Sequence, residues 1–199
     1  MSTNTTSVWR KKLKELEIVV VIPTYNNGKT LAAVIEEVCR YADDIIVVND
    51  GSTDDTANIL EQYPAIRTIT HPVNKGKGTA LKHGLSQAKK EGFRYVITID
   101  SDGQHFASDI PCFIEAIEKE PDTLLVGARN LASDNMPGKN TFANKFSNFW
   151  FRLETGLKLE DTQSGYRLYP LRKMNVQSCW YTANTNLSLE ASAFPPWGM

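Results

Sequence analysis

Five short apolar runs, each ended by a polar cluster and four of them followed by a helical pattern, constrain this chain more than any other feature. "EIVVVIP" (17–23) reads as a strand stopped by Pro23, and "TLAAVIEEVCRY" (30–41) then places Leu31, Val34, Ile35 and Val38 on one helix face. "DDIIVVND" (43–50) is a second strand, and "GSTDDTANILEQY" (51–63) opens with Thr53, Asp54 and Asp55 as capping and first-turn residues and carries Ile59 and Leu60 inward. "IRTITH" (66–71) is a shorter third strand. It precedes a helix in "NKGKGTALKHGLSQAKKEG" (74–92), with Leu81, Leu85 and Ala88 on one face and Gly92 as its stop. "RYVITID" (94–100), a helix in "SDIPCFIEAIEKEP" (108–121) and "TLLVGAR" (123–129) continue the series. Repeated βα units predict an α/β fold, a mainly parallel open sheet flanked by helices, with ligands at the carboxyl ends of the strands. Tyr25, Asn26, Asp50, Asp100 and Asp102 all stand at such ends.

Past Arg129 the pattern changes. "NLASDNMPGKN" (130–140) reads as a polar loop, "TFANKFSNFWFRLETG" (141–156) as an aromatic-rich helix, and "DTQSGYRLYP" (161–170) returns towards a short strand. The expected organisation is a lead-in at 1–17, one domain at 18–174 and an atypical tail at 175–199, the last lacking an amphipathic helix and interrupted by Pro195 and Pro196. The tail reads as truncated or altered, which leaves nucleotide binding more secure than catalysis.

Composition removes several functional classes. Lys+Arg 22 against Asp+Glu 23 gives almost no net charge, so no nucleic-acid partner is expected. Cys39, Cys112 and Cys179 lack metal-site or disulfide spacing and read as reduced thiols, in keeping with the cytoplasm. No 18-residue apolar run is present. "WRKKLKEL" (9–16) reads as a solvated helix, with peripheral contact to an anionic membrane through Trp9, Lys11, Lys12 and Lys14 as the alternative.

The chemistry concentrates in "ITIDSDGQH" (97–105). Carboxylates at i and i+2 of a continuing strand point to one side, so Asp100 and Asp102 converge on one hard cation, Mg²⁺ or Mn²⁺, which would neutralise charge on a departing nucleoside diphosphate. The plainer account, in which the two only cap a turn, is weaker because other strand ends are polar too. Gln104 or His105 completes the shell, or His105 is a hydrogen-bonded loop residue. Asp50 is placed to accept from a ribose or base, with Gly51 permitting close backbone approach; taken alone, an Asx turn introducing the next helix is the better account. Lys75 and Lys77 flank a glycine-rich helix start that suits anions but lacks P-loop spacing, and are either phosphate contacts or solvated charges. Arg129 and Arg167 suit phosphate pairing by guanidinium geometry.

"VVIPTYNN", "VVNDGSTDDT", "NKGKGTAL", "DSDGQH", "VGAR" and "DTQSGYRLYP" stand in the order seen in family 2 glycosyltransferases of the GT-A fold, and most resemble dolichyl- or polyprenyl-phosphate sugar synthases. The resemblance implies an inverting transfer of a hexose from a GDP- or UDP-sugar, with a divalent metal. It implies nucleotide contacts at Pro23, Tyr25 and Asp50, with Asn26, Gly51, Lys77 and Asp100 beside them. Asp100, Asp102 and Gln104 match metal ligands, and Arg129, Ser164 and Arg167 the acceptor or phosphate region. "PTYNN" departs from the commoner "PTYNE", Asn27 standing in place of an acid. A lipid phosphate is already anionic and needs no strong base, so the expected acceptor is polyprenyl phosphate, with Asp161 orienting it or the surrounding loop. Three other readings compete: a non-catalytic nucleotide-sugar binding module, a sugar nucleotidyltransferase and a phosphatase. The nucleotidyltransferase loop is missing after the first strand, and the phosphatase D-x-D sits near the N-terminus, whereas here four strands run up to it.

Overall fold

The computed structural model describes residues 3–127, 165–174 and 191–193. Its sheet has seven strands in the order β3-β2-β1-β4-β6-β5-β7. The central β1 (Ile18–Thr24) is buried along its whole length, as expected of an uninterrupted apolar run covered on both faces. It pairs in parallel with β2 (Ile45–Asn49) on one side and β4 (Tyr95–Thr98) on the other, while β3 (Arg67–Thr70) extends the parallel half beyond β2.

Alternation along β1 divides the core into two layers. Ile18, Val20 and Ile22 face α1 (Thr3–Glu15), α2 (Gly28–Cys39), α3 (Thr56–Glu61) and α5 (Ile110–Lys119), which contribute Leu13, Leu31, Ile35, Ile59, Phe113 and Ile114. Val19 and Val21 face α4 (Lys77–Lys90) through Ala80, Leu85 and Ala88. Gly84 sets the separation on that side. A Cβ there would stand 2.6 Å from Val21 Cγ1 and 3.2 Å from Val48 Cγ2.

Four features add to or differ from the sequence reading. The strand expected to run to Asp100 ends at Thr98; the Ile99 N–H still bonds the Val21 carbonyl, and the chain then turns. The sheet is mainly parallel, as expected, but β6 (Arg167–Pro170) lies antiparallel between β4 and β5 (Leu124–Val126), with Thr98 opposite Arg167. Beyond β5, residues 191–193 of the tail form β7 (Ala191–Ala193), parallel to β5. The lead-in helix α1 is not simply solvated either. Leu13 is buried and Trp9 and Leu16 pack on the core, while Lys12 Nζ bonds Glu118 of α5 at 2.8 Å. Trp9 and Lys12 are therefore withdrawn from any membrane-facing set, leaving Lys11 and Lys14 outside. Among the described residues no helix is long and apolar enough to cross a membrane.

Candidate active site

The strand order reverses between β1 and β4, and a cleft opens at the carboxyl ends of the strands there, where open α/β sheets bind ligands. The end of β1 supplies Pro23, Thr24, Tyr25 and Asn27, and the end of β2 supplies Asp50. The start of α4 brings Asn74, Lys77 and Ala80, and the turn after β4 brings Asp100, Ser101 and Asp102. Thr24 Oγ1 is buried in the wall without a hydrogen-bond partner, a cost that a ligand in the cleft would relieve.

Asp50 is almost fully enclosed, its side chain 3% exposed. Its Oδ1 accepts from His71 Nδ1 at 2.6 Å and from the Lys75 N–H at 2.9 Å. Burial alone would raise its pKa, but the bonds from His71 and from the N–H groups of Lys75 and Gly76 outweigh it and hold the carboxyl below the usual carboxylate range. Gly51, at φ 69°, makes this closure possible. A Cβ on it would meet Asn74 N at 2.6 Å and Val73 Cα at 2.8 Å, so a side chain would push the loop before α4 off the cleft. Asn26, also left-handed at φ 53°, works beside it: its N–H donates to Ser52 Oγ at 3.0 Å and its Oδ1 accepts from the Thr53 N–H at 2.8 Å. Asn26 and Gly51 thus shape the loops behind the cleft wall.

On the opposite wall, Asp100 and Asp102 stand on a turn, so strand alternation does not aim them. Asp102 Oδ1 accepts from the Gln104 N–H at 2.9 Å in an Asx turn through Gly103, whose φ is 77°. Asp100 is met by Lys77 Nζ, 2.7 Å from Oδ1 and 2.8 Å from Oδ2, and His105 Nε2 lies 3.9 Å from Oδ2. His105 is buried with its ring against Tyr166, 5.2 Å between centroids. Asn27, in the place of the family's acid, donates from Nδ2 to Ser101 Oγ at 2.8 Å, and Thr30 Oγ1 donates to the Ser101 carbonyl at 2.6 Å. The two strand-end loops are thereby tied together.

This donor set fits a hard divalent cation. The Lys77 ammonium already holds both oxygens of Asp100, as a stand-in cation would, and Asp102 follows on the same turn. Among the described residues no three His, Cys, Asp or Glu side chains form a complete cage. Two carboxylates on one turn are the kind of protein contribution that Mg²⁺ accepts, such ions completing their shell with waters and substrate phosphates. The third expected ligand, Gln104, is exposed and enters the site's geometry through its backbone N–H.

Arg167 is half-buried on β6 opposite Thr98. Asp161, Arg129 and Ser164 lie outside the described residues. The sequence reading passed over Thr24, His71, His83 and Gly165. His71 had a usable signal, as a polar residue closing a strand in the same way as Asp50 and Asp100.

The family model described as Glycosyl transferase family 2 matches residues 19–176. A UDP-N-acetylglucosamine–dolichyl-phosphate N-acetylglucosaminyltransferase of Methanococcus voltae is 30% identical over 181 residues, covering 81% of this chain and 72% of that protein. A dolichyl-phosphate beta-glucosyltransferase of Trichomonas vaginalis is 29% identical over 172 residues, covering 75% of this chain and 52% of its own length. The chain thus spans only about half of the latter relative. The fold matches glucosyl-3-phosphoglycerate synthase from Mycobacterium tuberculosis, crystallised with Mn²⁺, UDP-glucose and phosphoglyceric acid, with a TM-score of 0.64, 22% identity, and coverage of 87% of this chain and 62% of that one.

Proposed function

The chain belongs to glycosyl transferase family 2, with a GT-A fold, and on that premise we propose that it moves a hexose from a GDP- or UDP-sugar to a polyprenyl phosphate with inversion. The observation that carries this is the cleft itself, with an acidic turn holding a cation equivalent on one wall and an ionised, enclosed Asp50 on the other. In this reading Tyr25, Thr24 and Asp50 take the nucleoside, and Asp50 accepts from a donor on its base or ribose. Asp100 and Asp102, with Gln104 beside them, hold a divalent metal. When bound, that ion would offset the negative charge that gathers on the leaving diphosphate.

Lys77, at the first turn of α4 and paired with Asp100, is placed to pair with the diphosphate, where the helix start also favours an anion. The acceptor's phosphate oxygen attacks the sugar's anomeric carbon from the face opposite the diphosphate. The new carbon–oxygen bond forms as the old one breaks, and its electron pair leaves on the nucleoside diphosphate. A phosphate oxygen is anionic near neutral pH, so no general base is required of the chain. Asp161, Arg129, Ser164 and Arg167 are assigned to orienting the acceptor phosphate. Names of the relatives support a lipid-phosphate acceptor, and such an acceptor calls for peripheral contact with a membrane.

The test is a thermal-shift titration with GDP, UDP and their hexose conjugates, each with Mn²⁺, Mg²⁺ or EDTA, on wild type and Asp102→Ala, followed by transfer assays with polyprenyl phosphate. Ligand at about a hundred times its dissociation constant adds roughly 2.7 kcal/mol, a rise of several degrees. The expected result is a metal-dependent rise with one nucleotide that Asp102→Ala abolishes. No rise from folded protein refutes nucleotide-sugar binding, binding without turnover identifies a non-catalytic module, and transfer only to a sugar hydroxyl refutes the lipid acceptor.

A further inference from the structure

Behind the nucleoside wall runs a chain of polar groups that neither the family motifs nor the proposed chemistry uses. His71, closing β3, has a side chain only 4% exposed, and its Nδ1 lies 2.6 Å from Asp50 Oδ1. Its Nε2 lies 2.7 Å from His83 Nδ1 on α4, with the rings edge to face at 87°. His83 is half-buried and reaches solvent. The protons along this chain follow from the acceptors. An ionised carboxylate can only accept, so His71 carries its hydrogen on Nδ1, and in the neutral pair Nε2 of His71 accepts from the Nδ1–H of His83. One added proton is compatible with this order on either ring; two would set N–H against N–H across 2.7 Å.

We propose that His71 is a positioning residue for Asp50, and that with His83 it makes the donor-nucleotide affinity depend on pH. The inference rests on the reading of Asp50 as a nucleotide contact. Oδ1 receives both the His71 and the Lys75 donors, which pins that oxygen to the wall while the carboxylate lines the cleft. His71 therefore fixes how the carboxylate faces the nucleotide and that it faces it as an acceptor. A proton taken up by the pair puts positive charge on the hydrogen-bond chain that ends at Asp50, which draws on the carboxylate's charge and lowers its acceptor strength toward the ligand. The groups facing the pair are Asp50 at the end of β2, Lys75 in the loop before α4, and Lys82 on α4. Burial first, and then His71, Lys75 and Lys82, hold His83 below the usual imidazole range, while Asp50 acts in the opposite direction.

The experiment measures GDP and UDP dissociation constants between about pH 5 and 8, the range in which imidazoles titrate, for wild type, His71→Leu, His71→Asn and His83→Gln. Ligand ionisation cancels in the variant-to-wild-type ratio. His71→Leu is expected to weaken binding by roughly tenfold to a hundredfold at pH 8, the value of a hydrogen bond to a charged group. His71→Asn keeps a donor at the Nδ1 position, so it restores the affinity at high pH and loses the weakening at low pH. His83→Gln does the same. In wild type a low-field ¹H resonance from His71 Nδ1–H is expected, absent from His71→Asn. If His71→Leu fails to fold, the other two variants still decide. A ratio flat across pH for both, or His71→Leu within about twofold of wild type, overturns the inference. Failure of wild type to bind either nucleotide would instead refute the proposed function, with the resonance still reporting the Asp50–His71 bond.

Discussion

Gly165→Ala separates the support of the acidic turn from the stability of the fold. Gly165 enters β6 directly beneath Asp100, its carbonyl accepting from Thr98 Oγ1 at 2.7 Å. A Cβ on it would place Oδ2, Cγ and Oδ1 of Asp100 about 1 Å or more inside ordinary contact, which begins at 3.4 Å. Backbone at the start of a paired strand yields less readily than the end of a side chain, so the carboxylate is what moves. Metal sites keep their ligands to within roughly 0.2 Å, several times less than this displacement. The strain on Asp100 is that of one off-rotamer side chain, about 0.5–1.5 kcal/mol, or a few degrees in melting temperature. Cation affinity should fall much further, at least the tenfold to hundredfold that follows from disturbing a ligand's support. Free Mn²⁺ measured by electron paramagnetic resonance at fixed protein, beside a calorimetric melting curve, gives both quantities. A variant that melts lower by several kcal/mol and still binds Mn²⁺ as wild type would refute the reasoning, because Gly165 would then be needed by the sheet and not by Asp100.

Gly84→Ala should show the opposite pattern: its Cβ would strike Val21 and Val48 in the core, so overpacking of about 1–3 kcal/mol is expected in denaturant titrations, with nucleotide affinity of the folded fraction unchanged. Lys77→Met removes the ammonium that competes for Asp100, so calorimetry should show Mn²⁺ binding about twofold to fivefold tighter without nucleotide, and UDP or GDP binding weaker. Asp54 accepts from Thr56 Oγ1 at 2.5 Å and from the Gly28 N–H at 2.8 Å, and these bonds, opposed by burial, lower its pKa. A lowered folded pKa gives stability that is present above the unfolded value and lost as pH falls through the folded one. Asp54→Asn should therefore flatten the fall in melting temperature below about pH 4, and an unchanged acid limb would disprove the strap between α2 and α3.

The parallel half of the fold was legible because each of its strands is an apolar run whose polar terminus marks a carboxyl end. Leu31, Val34, Ile35 and Val38 are buried as their spacing predicts, and so are Leu81, Leu85 and Ala88. Asp50, Asp100 and Asp102 line one cleft for the same reason. What escaped was set by contacts distant in sequence. "RLYP" is equally compatible with a parallel or an antiparallel strand, and only its pairing with Val96 and Ile97 selects the antiparallel one. The turn geometry of Asp100 escaped because the apolar run and the backbone bond to Val21 both extend to Ile99, and the chain turns only beyond it. His71 and His83 are 12 residues apart and meet only because α4 packs back on β1 and β2. No local pattern encodes that meeting.

The antiparallel insertion has a mechanistic consequence. In a fully parallel sheet the neighbour of β4 would end beside Thr98 and add another carboxyl-end loop to the cleft. Here β6 runs the other way, so its beginning, and not its end, lies beside the acidic turn. That brings Gly165 and Tyr166 under the turn, with Tyr166 donating its hydroxyl to the Phe106 carbonyl at 3.0 Å and its ring packing on His105 and Phe113. The turn is therefore gripped from both ends, by Gly165 at Asp100 and by Tyr166 at His105 and Phe106. Its outer face is held by Asn27 and Thr30. Two short-range carboxylates on an Asx turn would otherwise be free to splay apart. Their support from the start of α2 and from β6 at once is what lets a turn, and not a strand, hold both carboxylates at the cleft.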